Sequence, residues 1–293
     1  MKIPMIGPSY KSRSLPFSSQ RTINLYIEGA EAEARDAAML IGTPGLTQWL
    51  DLGGNRGCRG AVYMDGRLYC VIGTTLYSIL EDGTTTNVGE IGGDDRLSVA
   101  INGTQVCIVS SQSGAFIYSL ANGLEQITSA DFYPSEKVVF IDQYFAHLKQ
   151  SSQTFFLSAI GDGMTYDALD FATAEARPDL LLSIESDNGE LWLFGEETSE
   201  VWSNTGAADF PFARVNGAVL QKGIAGRDCV ARMDNSVYWL GSDGVVYRAS
   251  GYAPQRVSTH AIETQIAALE WSDAFALTYS KEGHNFLILS FPT

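Results

Sequence analysis

One hairpin, repeated, constrains this chain more than any other feature. An apolar strand runs into a turn dipeptide, a second apolar strand returns, and a shorter strand carrying Tyr or Trp often follows. The clearest copy runs Gly60 to Met64, turns at Asp65-Gly66, returns from Leu68 to Gly73, and continues from Leu76 to Ile79. Further copies turn at Asn102-Gly103, Asp142-Gln143, Asn188-Gly189 and Asp234-Asn235, and a last one turns near Glu282-Gly283. Asp-Gly and Asn-Gly tolerate the positive φ that two-residue hairpin turns require. The turns are separated by 37, 40, 46, 46 and 48 residues, which is the length of a four-stranded propeller blade. A sandwich or an up-and-down barrel also gives alternating strands, but neither explains the nearly fixed period. The expected fold class is all-β, a β-propeller of about six blades, with five full repeats and a partial sixth.

Composition agrees with that reading. The chain has 293 residues, 45% hydrophobic and 18% charged, enough apolar side chain for a large core. Its 29 glycines favour many short strands joined by tight turns. Nineteen Lys and Arg stand against 34 Asp and Glu, a formal charge of −15, so no general electrostatic grip on nucleic acid is expected. The densest cationic stretch holds only Lys11, Arg13 and Arg21.

Residues 58–293 are read as the propeller, and residues 1–57 lack the repeat. That N-terminal part carries Pro4, Pro8, Pro16 and Pro44 with one strand-like piece, Thr22 to Ile27, and reads as an extended arm. Ala30 to Ala38 is expected to be a short exposed helix or a flexible excursion. Ser258 to Leu269 has apolar residues near helical spacing and is expected to form a helix between blades. The chain stops at Phe291-Pro292-Thr293 just after a strongly apolar strand, with the sixth copy half built. Because a bare apolar edge invites aggregation, either the natural protein continues or the arm supplies the missing pairing. No apolar run follows Met1 to Met5, so neither a signal peptide nor a transmembrane helix is read, and the chain is expected to be made in the cytoplasm.

Motifs for chemistry are sparse. GxxxxGK[ST], GxSxG, HExxH and GxGxxG are all missing, so no catalytic or cofactor-binding residue is assigned and no cofactor is expected. Cys58, Cys70, Cys107 and Cys229 have no CxxC spacing and read as buried free thiols, while His147, His260 and His284 lie too far apart for a local zinc motif. Asp162 to Asp170 offers three carboxylates, but at a spacing unlike the known calcium loop, so a turn with a solvated acidic face is the expectation. Ser186 to Trp192 is reminiscent of the Asp-box hairpin of sialidase-like propellers, with its Asp one position early. Trp192, Trp202, Trp239 and Trp271 would form a sugar-stacking surface only if they faced outward; within alternating strands they are expected in the core.

Several stretches, in order, resemble one family. They are Gln20 to Glu28 (QRTINLYIE), Gly42 to Leu46 (GTPGL), Cys58-Arg59-Gly60, Asp167 to Ala172 (DALDFA) and Leu191 to Asn204 (LWLFGEETSEVWSN) followed by Thr205-Gly206. Phe210 to Phe212, Tyr238 to Gly241, Gly251-Tyr252, Gly283-His284 and Phe291 to Thr293 continue the series. Together they resemble the packaged-DNA stabilization, or tail nozzle (tail accessory), proteins of short-tailed phages and prophages. The resemblance implies a structural virion component of the tail and no enzyme activity. It implies a homo-oligomer, a hexameric ring below the portal and adaptor proteins, that continues the DNA exit channel. A tail needle or plug closes that channel, tailspikes or fibres attach nearby, DNA passes without sequence-specific binding, and no membrane is engaged. Family members are longer than this chain, which agrees with the half-built copy. A carbohydrate-binding or sialidase-like propeller is the alternative, and a general protein-interaction propeller the third reading.

Overall fold

The computed structural model describes residues 23–29, 38–53 and 57–293. Five four-stranded antiparallel sheets follow one another along the chain, each built in sequence order. The first blade is β3 (Cys58–Met64), β4 (Arg67–Ile72), β5 (Thr75–Leu80) and β6 (Thr85–Glu90). The second is β7 (Ser98–Ile101), β8 (Gln105–Ser110), β9 (Gly114–Ser119) and β10 (Gly123–Gln126). The third is β11 (Ser135–Ile141), β12 (Tyr144–Lys149), β13 (Thr154–Ala159) and β14 (Asp162–Thr173). The fourth is β15 (Leu181–Asp187), β16 (Glu190–Gly195), β17 (Ser199–Asn204) and β18 (Phe212–Leu220). The fifth is β19 (Val230–Met233), β20 (Ser236–Leu240), β21 (Val246–Ser250) and β22 (Ala253–Arg256). A sixth sheet holds only β23 (Phe275–Lys281) and β24 (His284–Ser290). The chain is a β-propeller, with its last blade two-stranded.

The first hairpin of each blade is set locally. Both central residues have positive φ at Asp65-Gly66, Asp142-Gln143, Asn188-Gly189, Asp234-Asn235 and Glu282-Gly283. That is the backbone of a type I′ turn, whose twist matches the flanking strands. The second copy differs by one position: Ile101 pairs with Val106 and Gly103 takes the positive φ, so the turn centres on Gly103-Thr104 rather than Asn102-Gly103. Asn102 instead caps it, its Oδ1 accepting from the backbone N–H of Thr104 at 2.9 Å and of Gln105 at 2.7 Å.

Packing lies between neighbouring blades. One apolar cluster joins the first and second blades through Tyr69, Val71, Leu76, Val106 and Ile108, and another joins the second and third through Cys107, Ile117, Phe145 and Phe156. Leu148, Phe155, Ile184 and Leu191 join the third and fourth, and Phe194, Trp239, Leu240 and partly buried Leu287 and Leu289 extend the core through the fifth to the sixth. Among the described residues no such cluster joins the sixth sheet to the first blade, and Tyr63, Leu277 and Ile288 are exposed. Helix α1 (His260–Ile266) lies between the fifth and sixth sheets, where the apolar spacing predicts a helix, and Ala261 and Ile266 are its buried residues.

Within 1–57, β1 (Leu25–Gly29) and β2 (Ala38–Gly42) pair antiparallel from Leu25 opposite Gly42 to Gly29 opposite Ala38. The expectation for Ala30 to Ala38 falls almost wholly outside the described residues, with Ala38 itself opening β2. Asp162 to Asp170 is not a turn with a solvated acidic face: it is most of the 12-residue strand β14. Its first carboxylate is used inside the protein, Asp162 Oδ1 accepting from Met164 N at 3.0 Å and Oδ2 from the Thr165 hydroxyl at 2.7 Å. Of the four thiols, Cys70, Cys107 and Cys229 are buried and free as read from the sequence, but Cys58 is exposed because it opens the first strand of the first blade.

Candidate functional site

The inner strands β3, β7, β11, β15, β19 and β23 neighbour one another in turn around the propeller, and their starting ends carry a polar network. Inner strands lean on each other through the backbone: Leu97 N donates to Arg59 O at 2.8 Å, and Val138 N donates to Ser98 Oγ at 3.0 Å. Asp228 forms a parallel bridge with Phe275, and Ala276 N donates to Asp228 O at 2.8 Å. Carbonyls left over at these strand ends need donors, and long cationic side chains supply them.

Arg59 is the most fully used. Its Nε donates to Asp95 O at 2.8 Å, Nη1 to Gly73 O at 2.9 Å and Ile91 O at 3.0 Å, and Nη2 to Gly92 O at 2.9 Å and Asp95 Oδ1 at 2.8 Å. All five guanidinium donor positions are thereby occupied, in a side chain only 7% exposed. Asp95 accepts in turn from the Ser110 hydroxyl, the Ser111 hydroxyl and Ser111 N at 2.7–2.9 Å. Burial pushes the Asp95 carboxyl up, but these donors together with Arg59 outweigh it and leave it below its usual value.

Nearer the axis, Lys137 Nζ donates to Ser183 Oγ at 2.9 Å and to Arg227 O at 2.8 Å, and Ser183 Oγ donates to the same carbonyl at 2.7 Å. Arg227 Nη2 reaches Arg96 O at 2.8 Å and Asp228 Oδ2 at 3.2 Å. The Arg96 guanidinium lies 3.8 Å over the centre of the Phe275 ring, with its Nε 3.8 Å from Asp228 Oδ2. This hub links blades two, three, four, five and six. Burial pulls the Lys137 ammonium below its usual value, while Asp228 and Glu185 pull it back up. Further along the axis Arg232 Nη1 donates to Ser186 O at 2.8 Å, beside a cavity of about 440 Å³ that Ser98, Lys137, Glu185 and Arg232 help to line.

The hub bonds the inner-strand ends of five blades to one another. Sequence reasoning missed Arg59, Arg96, Lys137 and Arg227, although a signal was present: each is a cation five to seven residues ahead of a turn dipeptide. Glu136, Asp228 and Asp273 line a neighbouring cavity with Arg96 and Arg227, and no group of three metal-ligating side chains forms among the described residues. His147 is fully buried between Ser135 Oγ at 3.3 Å and the Tyr166 hydroxyl at 3.0 Å, with its ring stacked on Phe156. Burial pushes its pKa down to about 3, so it is a neutral packing group.

The other sequence candidates resolve into framework. Trp192 and Trp239 are core, and Trp202 and Trp271 pack against core clusters with their indole N–H groups bonded to Glu200 Oε2 and Ile266 O. They form no common sugar platform. Ser186 to Trp192 is an ordinary type I′ hairpin, with Asp187 opposite Glu190. Of the motif stretches, Gly60, Gly195 and Gly241 are places of close approach; a Cβ on Gly195 would sit 2.4 Å from Asp179 Oδ2.

Four-stranded antiparallel blades, with a polar hub joining the inner strands of five of the six sheets, define the chain as a β-propeller. The chain belongs to the family described as Bacteriophage P22 Gp10, beta-propeller, whose model matches residues 1–293. That membership makes it a phage protein of the propeller fold. No curated protein matches it. Among solved structures, it is similar to PorZ, a surface component of the type-IX secretion system of Porphyromonas gingivalis, with TM-score 0.52, 12% identity, and 80% of this chain and 33% of that one covered. It is also similar to the extracellular domain of a candidate one component system from B. thetaiotaomicron, with TM-score 0.54, 11% identity, and 83% and 33% coverage. The chain thus spans about a third of each, and both likenesses concern the fold alone. No helix among the described residues is long and apolar enough to cross a membrane.

Proposed function

We propose that this propeller is a nozzle subunit of a short-tailed phage, repeated as a hexameric ring that extends the DNA exit channel below the portal and adaptor. In that position it stabilises packaged DNA and lets it leave. A needle or plug would close the channel, and tailspikes or fibres would attach around it. Family membership supports the tail role, and the distribution of charge supports the channel role. Among the 19 Lys and Arg, Arg59 and Lys137 are buried, and Arg96, Arg214, Lys222, Arg227, Arg232 and Arg256 are engaged with carboxylates. Acids such as Glu81, Asp82, Asp131 and Asp167 stay exposed. A wall of that sign has few cationic contacts for phosphates, so DNA slides past without sticking.

The experiment has two arms. Negative-stain images of the protein with its adaptor should show six-fold rings, and a persistently unringed complex defeats the nozzle reading. Phage particles carrying Glu81→Lys, Asp82→Lys, Asp131→Lys and Asp167→Lys together should eject DNA more slowly as salt is lowered. Salt-independent, unchanged ejection defeats the charge mechanism.

A further inference from the structure

Large apolar side chains left in water gather in one part of the chain. Of the 18 exposed ones, seven lie in residues 23–49 and eleven in the whole of 57–293. The hairpin β1–β2 carries several of them. One of its faces is turned to the sixth sheet: the Tyr26 and Phe286 rings meet edge-on with centres 5.1 Å apart, and Glu28 Oε1 stands 3.7 Å from His284 Nε2. Side chains alternate along a strand and cross-strand partners share a face, so Leu25, Ile27, Gly29, Ala38, Leu40 and Gly42 make up the side turned away. None of the six is polar, and Leu25, Ile27 and Leu40 are exposed. A sheet face that stays in water carries polar residues instead, and a two-stranded hairpin is marginal unless its apolar face packs on something.

The chain after β2 extends the same character. Residues 38–50 hold no charged side chain, Leu46 is fully exposed and Trp49 is 57% exposed. Leu50 sets this segment beside the turn between β5 and β6, its Cδ1 3.8 Å from where a Cβ on Gly83 would stand. Clustered apolar side chains in water mark a protein contact. Charge says which partner. At a net charge of −15, two copies repel wherever their acids meet, so a contact between them needs surface free of charge. Interface cores are poor in charge and enriched in Trp and Met, as Trp49 and Met39 are here. A partner drawn by opposite charge finds nothing to pair with on this face. We propose that the outward face of β1–β2, with Leu46 and Trp49, is a subunit contact whose occupant is a second copy of this chain. It places one contact of the ring proposed above and rests on that reading for the homo-oligomer.

The test is sedimentation of the full chain across the micromolar range. Wild type should self-associate, and Ile27→Asp with Leu40→Asp should weaken the association at least ten-fold, because the contact would then bury unpaired carboxylates. Leu46→Asp, outside the hairpin, should weaken it as well without touching the hairpin's own fold. Leu120→Asp with Ile160→Asp, at exposed apolar positions on other blades, should associate like wild type. A wild type that stays monomeric, or hairpin and Leu46→Asp variants that both associate as wild type does, would overturn the proposal. Association that appears only once residues 1–22 are removed would overturn it too, since the chain's own N-terminal segment would then be the occupant. Six-fold rings on the adaptor that survive Ile27→Asp with Leu40→Asp would sink this contact and leave the nozzle reading standing.

Discussion

Replacing Arg59 with Met keeps the apolar stem and removes the guanidinium, and the structure sets what that should cost. Four backbone carbonyls and the Asp95 carboxylate lose donors at 2.8–3.0 Å, in a site where both side chains are about a tenth exposed or less. Leaving one side of a buried charged pair unpartnered costs about 3–5 kcal/mol, and Asp95 keeps Ser110 and Ser111, so the lower half of that range applies. At roughly 2 °C per kcal/mol for a chain of this size, the melting temperature should fall by about 6 °C or more. Arg59→Lys, with one ammonium for five acceptors, should fall between.

The pH dependence has a definite sign. The folded-state pKa of Asp95 is depressed, so its contribution is full above its unfolded value and is lost as pH falls through the folded value. Arg59→Met removes part of that depression, so the stability gap between wild type and variant should narrow below about pH 3.8, the ordinary carboxylate value. Urea unfolding of wild type, Arg59→Met, Asp95→Ala and the double variant at pH 7 and near pH 3 measures both effects. A loss under about 1 kcal/mol for Arg59→Met, or strictly additive single effects, would refute the reasoning.

Gly223→Ala should abolish stable folding of the fourth and fifth blades, because its Cβ would lie 2.1 Å from the backbone oxygen of Glu196, which has no side-chain freedom to yield; expression and circular dichroism report it. Lys137→Met should be neutral or stabilising at pH 7, since the ammonium is held by a hydroxyl and a carbonyl rather than a carboxylate. Lys137's own contribution should rise as pH climbs towards 10.5, because the unfolded chain keeps a proton there that the folded chain has released, so in denaturant titrations the wild type should gain stability relative to the variant over that window, whatever the common loss from the buried thiols. A thiol reagent at pH 8 should modify Cys58 in the folded protein and leave Cys107, Cys70 and Cys229 untouched until denaturant is added. Burial raises all three of the protected thiols, Cys70 and Cys229 to about 11.

The sequence by itself determined the hairpins at the heart of each blade, because what specifies them is local. Asp65-Gly66, Asn188-Gly189 and their equivalents adopt positive φ whatever surrounds them, and the flanking strands are apolar on both faces, as buried strands must be. Each of the six turns read from the sequence lies in one of the five four-stranded sheets or in the β23–β24 hairpin. Outer strands were not legible in the same way. Thr85–Glu90, Gly123–Gln126 and Ala253–Arg256 are short and polar, and only the edge offered by the preceding strand makes them strands. Asp162 to Asp170 looked like a solvated turn because its carboxylates accept from donors two and three residues along, as turn residues do, and only pairing with β13 makes it a strand. The basic hub was hidden more deeply. No reading of the sequence placed Arg59 or Lys137 in the interior, and only the convergence of inner-strand ends creates the buried carbonyls that draw them inward. The contacts of Tyr26 with Phe286 and of Glu28 with His284, more than 250 residues apart, are likewise products of the tertiary fold, because only the curvature of successive blades brings these side chains together.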